Sequence, residues 1–361
     1  MTAATTTQQG ARLADLTTLR VGGPAARFVV ARDSDELLAA VRDVDARGDR
    51  LLLVAGGSNL VVSDDGFDGT VVHVARPEDG GIALQGADYC GGADMTVQAG
   101  AAWDELVALA VERGFAGLEA LSGIPGSVGA TPVQNVGAYG SEVADTVATV
   151  QVYDRTEARV RTLFARYLAF GYRDSLLKRA AQDGPDGMDR YVVLRVAFQL
   201  PVADRSAPVR YAELARALGI EVGQRAPLRE VREAVLALRA GKGMVLDGPD
   251  PDTWSVGSFF TNPVLDEAAL DPALADAPRW PAGEGRVKLP AAWLIEHAGI
   301  GKGHGLPGPA AVSTKHTLAL TNRGGAAAAD VISLAREVRD AVDRAFGVRL
   351  EAEPRLVGLS L

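Results

Sequence analysis

The first half of the chain alternates short apolar runs with segments of helical spacing. After the turn Gly22-Gly23-Pro24, residues Ala26–Ala31 read as a strand. Asp33 or Ser34 then offers an N-terminal cap to a helix carrying Leu37, Leu38, Val41 and Val44. LLLVAGG (51–57) predicts a buried strand ending in glycines, and LVVSDDGFDGTVVHV (60–74) predicts two short strands across a DDG turn. MTVQAGAAWDELVALAVERG (95–114) predicts a strand, a turn and an amphipathic helix that packs through Trp103, Leu106, Val107 and Ala110. TVATVQVYD (146–154) and YVVLRVAFQL (191–200) are strand patterns, and the polar run Ala181–Asp189 reads as a surface loop.

Around Pro201–Ser206 the pattern changes. Helical spacing dominates in RYAELARALGIEV (210–222), PLREVREAVLALRAGKG (227–243), PAAWLIEHAGI (290–300) and a last helix running to Phe346, followed by the strand VRLEAEPRLVG (348–358). The expected class is α+β. The expected organisation is a disordered tail over 1–15 and a first domain over 16–204, in two subdomains of about 16–80 and 81–204. A second domain follows over 205–325, and a last helix and strand occupy 326–361.

One stretch breaks the periodicity. GLEALSGIPGSVGATPVQNVGAYGSEV (117–143) holds six glycines among Ser122, Ser127, Thr131 and Asn135, and Pro125 and Pro132 forbid one long helix. Glycine allows positive φ and close backbone approach, so such a loop can present several N–H groups to an anion such as a nucleotide diphosphate. An ordinary surface loop is the alternative. GGSN (56–59), between two apolar runs, reads alone as a hairpin turn and together with the glycine stretch as a second donor segment. Gly303-His304-Gly305-Leu306-Pro307-Gly308 matches GxGxxG formally, but it follows a helix, and Pro307 and Pro309 spoil any helix after it. It is not a dinucleotide fingerprint.

Composition narrows the possibilities. With 361 residues, 47% of them hydrophobic, the chain can bury more than one core. A formal charge of −9 with mixed signs argues against a nucleic-acid binder. A single cysteine, Cys90, excludes an internal disulfide and a cysteine-based zinc site, and the four histidines (73, 297, 304, 316) lack HExxH spacing. The N-terminal residues lack signal-peptide character, and no run reaches bilayer length. The expectation is a soluble, cytoplasmic protein without membrane insertion.

Five segments in order, VAGGSNLVVSDDGFDG (54–69), the glycine stretch, GYRDS (171–175), GSFFTNP (257–263) and LEAEPRLVG (350–358), resemble the UDP-N-acetylenolpyruvoylglucosamine reductases. The likeness runs from about Leu19 to Gly358. It implies a two-subdomain FAD-binding fold of the vanillyl-alcohol-oxidase/PCMH type with a separate α+β substrate-binding domain, and a return of residues 326–361 to the FAD domain, which brings Glu353 to the flavin. It also implies non-covalent FAD, NADPH as electron donor, and UDP-N-acetylglucosamine enolpyruvate as the small-molecule substrate, in a monomer. The activity implied is that of a UDP-N-acetylmuramate dehydrogenase of peptidoglycan precursor synthesis, with hydride delivered from flavin N5.

Cofactor contacts are implied at Gly56, Gly57, Ser58, Asn59 and Leu60, at Ser122, Gly123, Ile124, Pro125, Gly126, Ser127, Gly129 and Ala130, and at Gln134, Asn135, Gly137, Ala138, Tyr139 and Arg239. Arg173 in GYRDS, by itself either a surface ion pair or an oxyanion holder, takes the second role under the resemblance. Ser258, otherwise a turn residue, becomes the proton donor. Glu353 aligns with the catalytic acid. The family pattern is closer to LEPEVRFIG, with proline between the acids, whereas here Ala352 stands between them and Pro354 follows, so Glu351 is the alternative. Tyr211 and Lys242 match diphosphate contacts, the tyrosine segment resembling the type I branch, and Asn262 matches a sugar or uracil contact. His297 stands where glutamine is common. Two rival readings are a flavin oxidase on the same scaffold and a non-catalytic nucleotide-sugar binder. Oxidases often tether flavin through histidine or cysteine, absent from both quoted flavin-facing stretches, and a binder is expected to lack one of Arg173, Ser258 and Glu353.

Overall fold

The computed structural model describes residues 7, 8 and 10–361. Asp33 starts the first helix, Ser34–Arg47, by accepting from the amides of Asp35 (2.9 Å) and Glu36 (2.8 Å), and Gly48 ends it in the left-handed conformation. Leu37, Val41 and Val44 are buried against Val29, Leu51 and Val72. These belong to a four-stranded sheet ordered Thr7–Gln8, Ala25–Ala31, Phe67–Val74, Leu51–Val54. A second, antiparallel sheet runs Arg159–Phe164, Val147–Asp154, Tyr191–Leu200, Gly92–Gln98, Ile82–Asp88. The helix Trp103–Arg113 covers it, with all four anticipated residues buried. Trp103 is the largest of them, and its indole Nε1 donates to the Leu121 carbonyl at 3.0 Å, which ties the start of the glycine stretch to the core.

The chain divides into two compact units. Among the described residues, the first comprises those up to Ala11, 25–56 and 68–240, and the second 12–24, 57–67 and 241–361. In the second, the amphipathic helix Ala328–Phe346 buries Val331, Ile332, Ala335, Val338 and Val342 with Phe259, Phe260, Leu294, Ile295 and Val312. A three-stranded sheet (Val264–Asp266, Arg286–Lys288, Trp280–Pro281) and two strand pairs complete it.

Several expectations change. The division falls at 240/241 rather than near 205, because Val209, Leu214, Ala215, Val231 and Val235 form a small core within the first unit. The apolar stripe of the last helix is buried with residues of 241–325 and with Leu19, Val21 and Val61, and Arg355–Val357 pairs with Leu60–Val62, so 326–361 joins both 241–325 and short pieces of the stretch expected to form the first domain. Within the expected tail, residues 1–6 and 9 lie outside the described residues, whereas Leu13–Leu16 form a 3₁₀ turn with Leu13 fully buried. The strands over 60–74 form no hairpin. Leu60–Val62 pairs in parallel with Arg355–Val357, and Phe67–Val74 pairs in parallel with Leu51–Val54. GGSN is therefore a crossing between two different sheets, not a hairpin turn. The 181–189 loop is anchored, because Asp186 accepts from Arg155 (2.9 Å) and from the Leu51 amide (2.6 Å). As expected, no helix follows the GxGxxG match, which lies in turns before the strand Ala310–Val312.

Candidate active site

In the first unit two of the anticipated segments meet. A methyl group on Gly56 would lie 2.8 Å from the Gly126 Cα, so the glycines at both places allow backbone-to-backbone contact. Gly126 is held at φ 122°. Its carbonyl accepts from Trp103, and the Val128 amide donates to Ala101, which fixes the loop against the start of the helix. The amides of Gly56, Gly126 and Ser127 donate to no acceptor among the described residues, although Ser127 is buried. Open amides on two backbones that touch fit a ligand rich in acceptor oxygens, such as the diphosphate of a flavin dinucleotide.

Other glycine-stretch residues hold the loop itself. The Ser122 hydroxyl donates to the Glu119 carbonyl (2.7 Å), the Ala130 amide to Ser127, and Gly129 packs so tightly that a methyl there would lie 2.5 Å from the Ala99 Cβ. Gly137–Ala138 and Ser141–Glu142 form a tiny hairpin whose two turn residues, Tyr139 and Gly140, both have positive φ (50° and 83°). Ile124, Pro125 and Gln134 are half-buried along the same stretch.

GYRDS closes on itself through reciprocal bonds between the backbones of Gly171 and Asp174 (3.0 and 3.2 Å). At its tip Arg173 occupies the left-handed region (φ 52°), a conformation that persists in a non-glycine residue only when its surroundings enforce it. Three contacts do so. Buried Asn135 donates to the Gly171 carbonyl (3.0 Å), Ser175 donates to the Val133 carbonyl, and Lys178 Nζ reaches the Arg173 carbonyl (2.8 Å). The arginine turn is thereby attached to the glycine stretch. Arg239, on the helix Leu228–Gly241, has its Nε shielded from solvent. Loss of hydration pulls its guanidinium below the ordinary range, opposed by nearby Tyr139 and the Asp104 carboxylate and reinforced by Arg173. Burial pushes Tyr139 up to about 12, and its ring meets the exposed Tyr211 edge-on at 5.6 Å.

In the second unit, Ser258 and Glu353 lie on paired extended segments. Ser258 bridges Ala319, Phe260 bridges Ala352, and the Glu353 amide donates to Phe259 (2.9 Å). Phe259 and Phe260 are both buried, which anchors the segment that carries Ser258. Asn59 flanks the same place, its carbonyl accepting from the Arg355 amide (3.0 Å) and its side chain reaching the Glu353 carbonyl at 3.5 Å. Glu351 is exposed and Glu353 half-buried. The pairing explains the moved proline. The bonds run from residues 353 and 261, so position 352 contributes no amide to them and takes alanine or proline alike.

Gly57 is required for contact with the Leu16 carbonyl, which a methyl would approach to 1.9 Å. Ser58 and Leu60 are half-buried beside it, and Lys242 is half-buried one residue beyond its helix. Asn262 accepts from the Ala291 amide (2.9 Å) and so caps the helix Ala291–His297. His297 is exposed, stacked on Trp293 at 3.8 Å, with Nδ1 2.8 Å from the Trp293 carbonyl. Arg173 thus belongs to the first unit, and Ser258 and Glu353 to the second. Sequence reading missed Asp104, Arg232 and Glu119. Their carboxylate and guanidinium contacts fix the glycine stretch, yet their only sequence signal is a charge on an amphipathic helix or in a loop.

A backbone-lined cradle in one unit, and a second α+β unit that carries Ser258 and Glu353, fit an FAD-dependent oxidoreductase, the class that the comparisons with known proteins define. Residues 25–163 match the model of the FAD binding domain, and residues 250–357 match that of the UDP-N-acetylenolpyruvoylglucosamine reductase C-terminal domain. The chain is 55% identical to the UDP-N-acetylenolpyruvoylglucosamine reductase of Saccharopolyspora erythraea over 98% of its length and 96% of that protein. It is 53% identical to the one of Thermobifida fusca over 97% of both. The crystal structure of the reductase from Thermus caldophilus superimposes with a TM-score of 0.64 at 26% identity, covering 98% of this chain and 99% of that one. The chain belongs to the UDP-N-acetylenolpyruvoylglucosamine reductase family, and it is an enzyme that uses FAD. No helix among the described residues is long and apolar enough to cross a membrane.

Proposed function

We propose that this chain reduces the enolpyruvyl group of UDP-N-acetylglucosamine enolpyruvate to the lactyl ether of UDP-N-acetylmuramate, with NADPH as electron donor, as a cytoplasmic monomer. The observation that carries this reading is the strained Arg173 turn, held to the glycine stretch by Asn135 and Ser175. FAD, when bound, would supply two-electron hydride chemistry between a reduced nicotinamide and an electron-poor carbon. Gly56, Gly126 and Ser127 are the residues of this reading that hold its diphosphate through their amides, with Arg239 as a nearby cation.

When the terminal carbon of the enolpyruvyl group gains a hydride, negative charge gathers on the neighbouring carbon and its carboxylate. Arg173 stabilises that charge with a guanidinium fork carried on a turn whose backbone is already held. Ser258 delivers the proton to the carbanionic carbon, a centre basic enough to accept from a hydroxyl. Glu353 acts in its protonated or water-bridged form, since a bare carboxylate would oppose the forming charge. Tyr211 and Lys242 bind the substrate diphosphate by a hydrogen bond and a point charge, and Asn262 and His297 contribute to its sugar or base. An absorbance spectrum of the purified protein, followed by NADPH consumption with and without the enolpyruvyl nucleotide sugar, tests the whole reading. A yellow protein whose NADPH oxidation does not respond to that substrate would refute it.

A further inference from the structure

Asp104 sits in the first turn of the helix Trp103–Arg113 and accepts from three donors on two other segments. The Gly123 amide donates to its Oδ1 at 2.6 Å. Arg232 grips both oxygens, Nη1 to Oδ1 at 2.7 Å and Nη2 to Oδ2 at 2.8 Å, a two-pronged geometry that fixes orientation as well as distance. Each donor segment bears on the cofactor cradle. Gly123 has φ 70° and begins the turn that leads to the open amides of Gly126 and Ser127. Arg232 lies two helical turns before Arg239 on Leu228–Gly241, so the two arginines share one helix face. Asp104 is also close enough to Arg239 for its charge to act there.

We propose that Asp104 and Arg232 are positioning residues for the cofactor: one carboxylate sets the glycine turn and the Arg239 helix in a fixed mutual arrangement before FAD arrives. With the carboxylate charge removed, the two-pronged grip of Arg232 is lost and the bond from the Gly123 amide weakens, and Arg232 becomes an uncompensated cation on the helix that carries Arg239. Preorganisation of this kind strengthens binding by removing an ordering cost, without any contact between Asp104 and the ligand. The proposal rests on the cradle's being the FAD site.

The test is FAD titration of the flavin-stripped full-length protein, followed by quenching of flavin fluorescence, beside the melting temperature of the stripped protein. Asp104→Asn and Arg232→Ala should each weaken FAD roughly tenfold to hundredfold, the range of one lost charge-assisted interaction. The double variant should bind within about twofold of Asp104→Asn, because both changes break one unit. Arg232→Lys keeps the charge but loses the fork, so it should fall between, and it serves if Asp104→Asn fails to fold. Wild-type affinity with only a lowered melting temperature would overturn the proposal, as would effects that simply multiply in the double variant. Failure of the unsubstituted protein to bind FAD would remove the cradle reading itself, and that shows before any substitution is made.

Discussion

Asn135 is where a single side chain does most to shape the candidate site. It is buried with φ 46°. Its Nδ2 donates to the Glu142 carboxylate (2.7 Å) and to the Gly171 carbonyl (3.0 Å), and its Oδ1 accepts from the Ala144 amide (3.1 Å). Asn135→Ala deletes all three bonds. At about 1 kcal/mol each, with the charged one at the upper end, they contribute about 3 kcal/mol. Placing alanine in the left-handed region adds about 1 kcal/mol, which asparagine largely avoids. The expected loss is about 4 kcal/mol for Asn135→Ala, and about 3 kcal/mol for Asn135→Gly, which keeps the conformational freedom but not the bonds. Urea unfolding followed by circular dichroism measures both. Because the Gly171 tether goes as well, turnover should fall further than FAD affinity, the Arg173 turn being released while the Gly56–Gly126 contact stays. A loss below about 1.5 kcal/mol, or FAD affinity falling as steeply as turnover, would refute this account of how the arginine turn is held.

Ser258→Ala should slow reduction of the enolpyruvyl substrate roughly 10²- to 10⁴-fold, as for a lost general acid, while reduction of the flavin by NADPH is nearly unchanged. Stopped-flow traces of the two half-reactions separate these, and equal slowing of both would count against the serine. Glu353→Gln should depress turnover strongly and Glu351→Gln should not, since only the former stands half-buried beside Phe259 and Asn59. The reverse ranking in steady-state assays would transfer the role. Burial tends to push the Asp186 carboxyl up, but Arg155 and the amides of Leu51 and Met188 outweigh it and hold the group below the usual carboxylate range. Its folded pKa being lower than its unfolded one, its contribution to stability is complete above about pH 4 and is lost as pH falls through the folded value. Asp186→Asn should therefore flatten the drop in melting temperature between pH 5 and pH 3, and an undiminished drop would show that other carboxylates dominate.

Much that is local was legible in the residues alone. The cap at Asp33, one of the two residues offered, the buried face of Trp103–Arg113 and the absence of a helix after 303–308 each depend on a few neighbouring side chains, and each is found in the structure. Side-chain period and backbone freedom encode such features directly. Partner choice is another matter. Leu60–Val62 is a strand in the sequence and in the structure, yet its neighbour, Arg355–Val357, lies nearly three hundred residues away. An apolar alternating run specifies that one face must be covered, not which segment will cover it.

The same limit governs the site. Residue types and order marked Arg173, Ser258, Glu353 and the glycines as candidates, and composition removed nucleic acid and cysteine-held zinc from consideration. Only tertiary structure decided that Gly56 touches Gly126, that Asn135 holds the arginine turn, that Glu353 rather than Glu351 is half-buried, and that the last helix belongs with residues 241–325. Each of these is a contact between segments far apart in the chain. Such contacts form because a buried apolar face or an unsatisfied backbone group must find a complement, and the complement is chosen by shape across the whole fold rather than by anything written beside it.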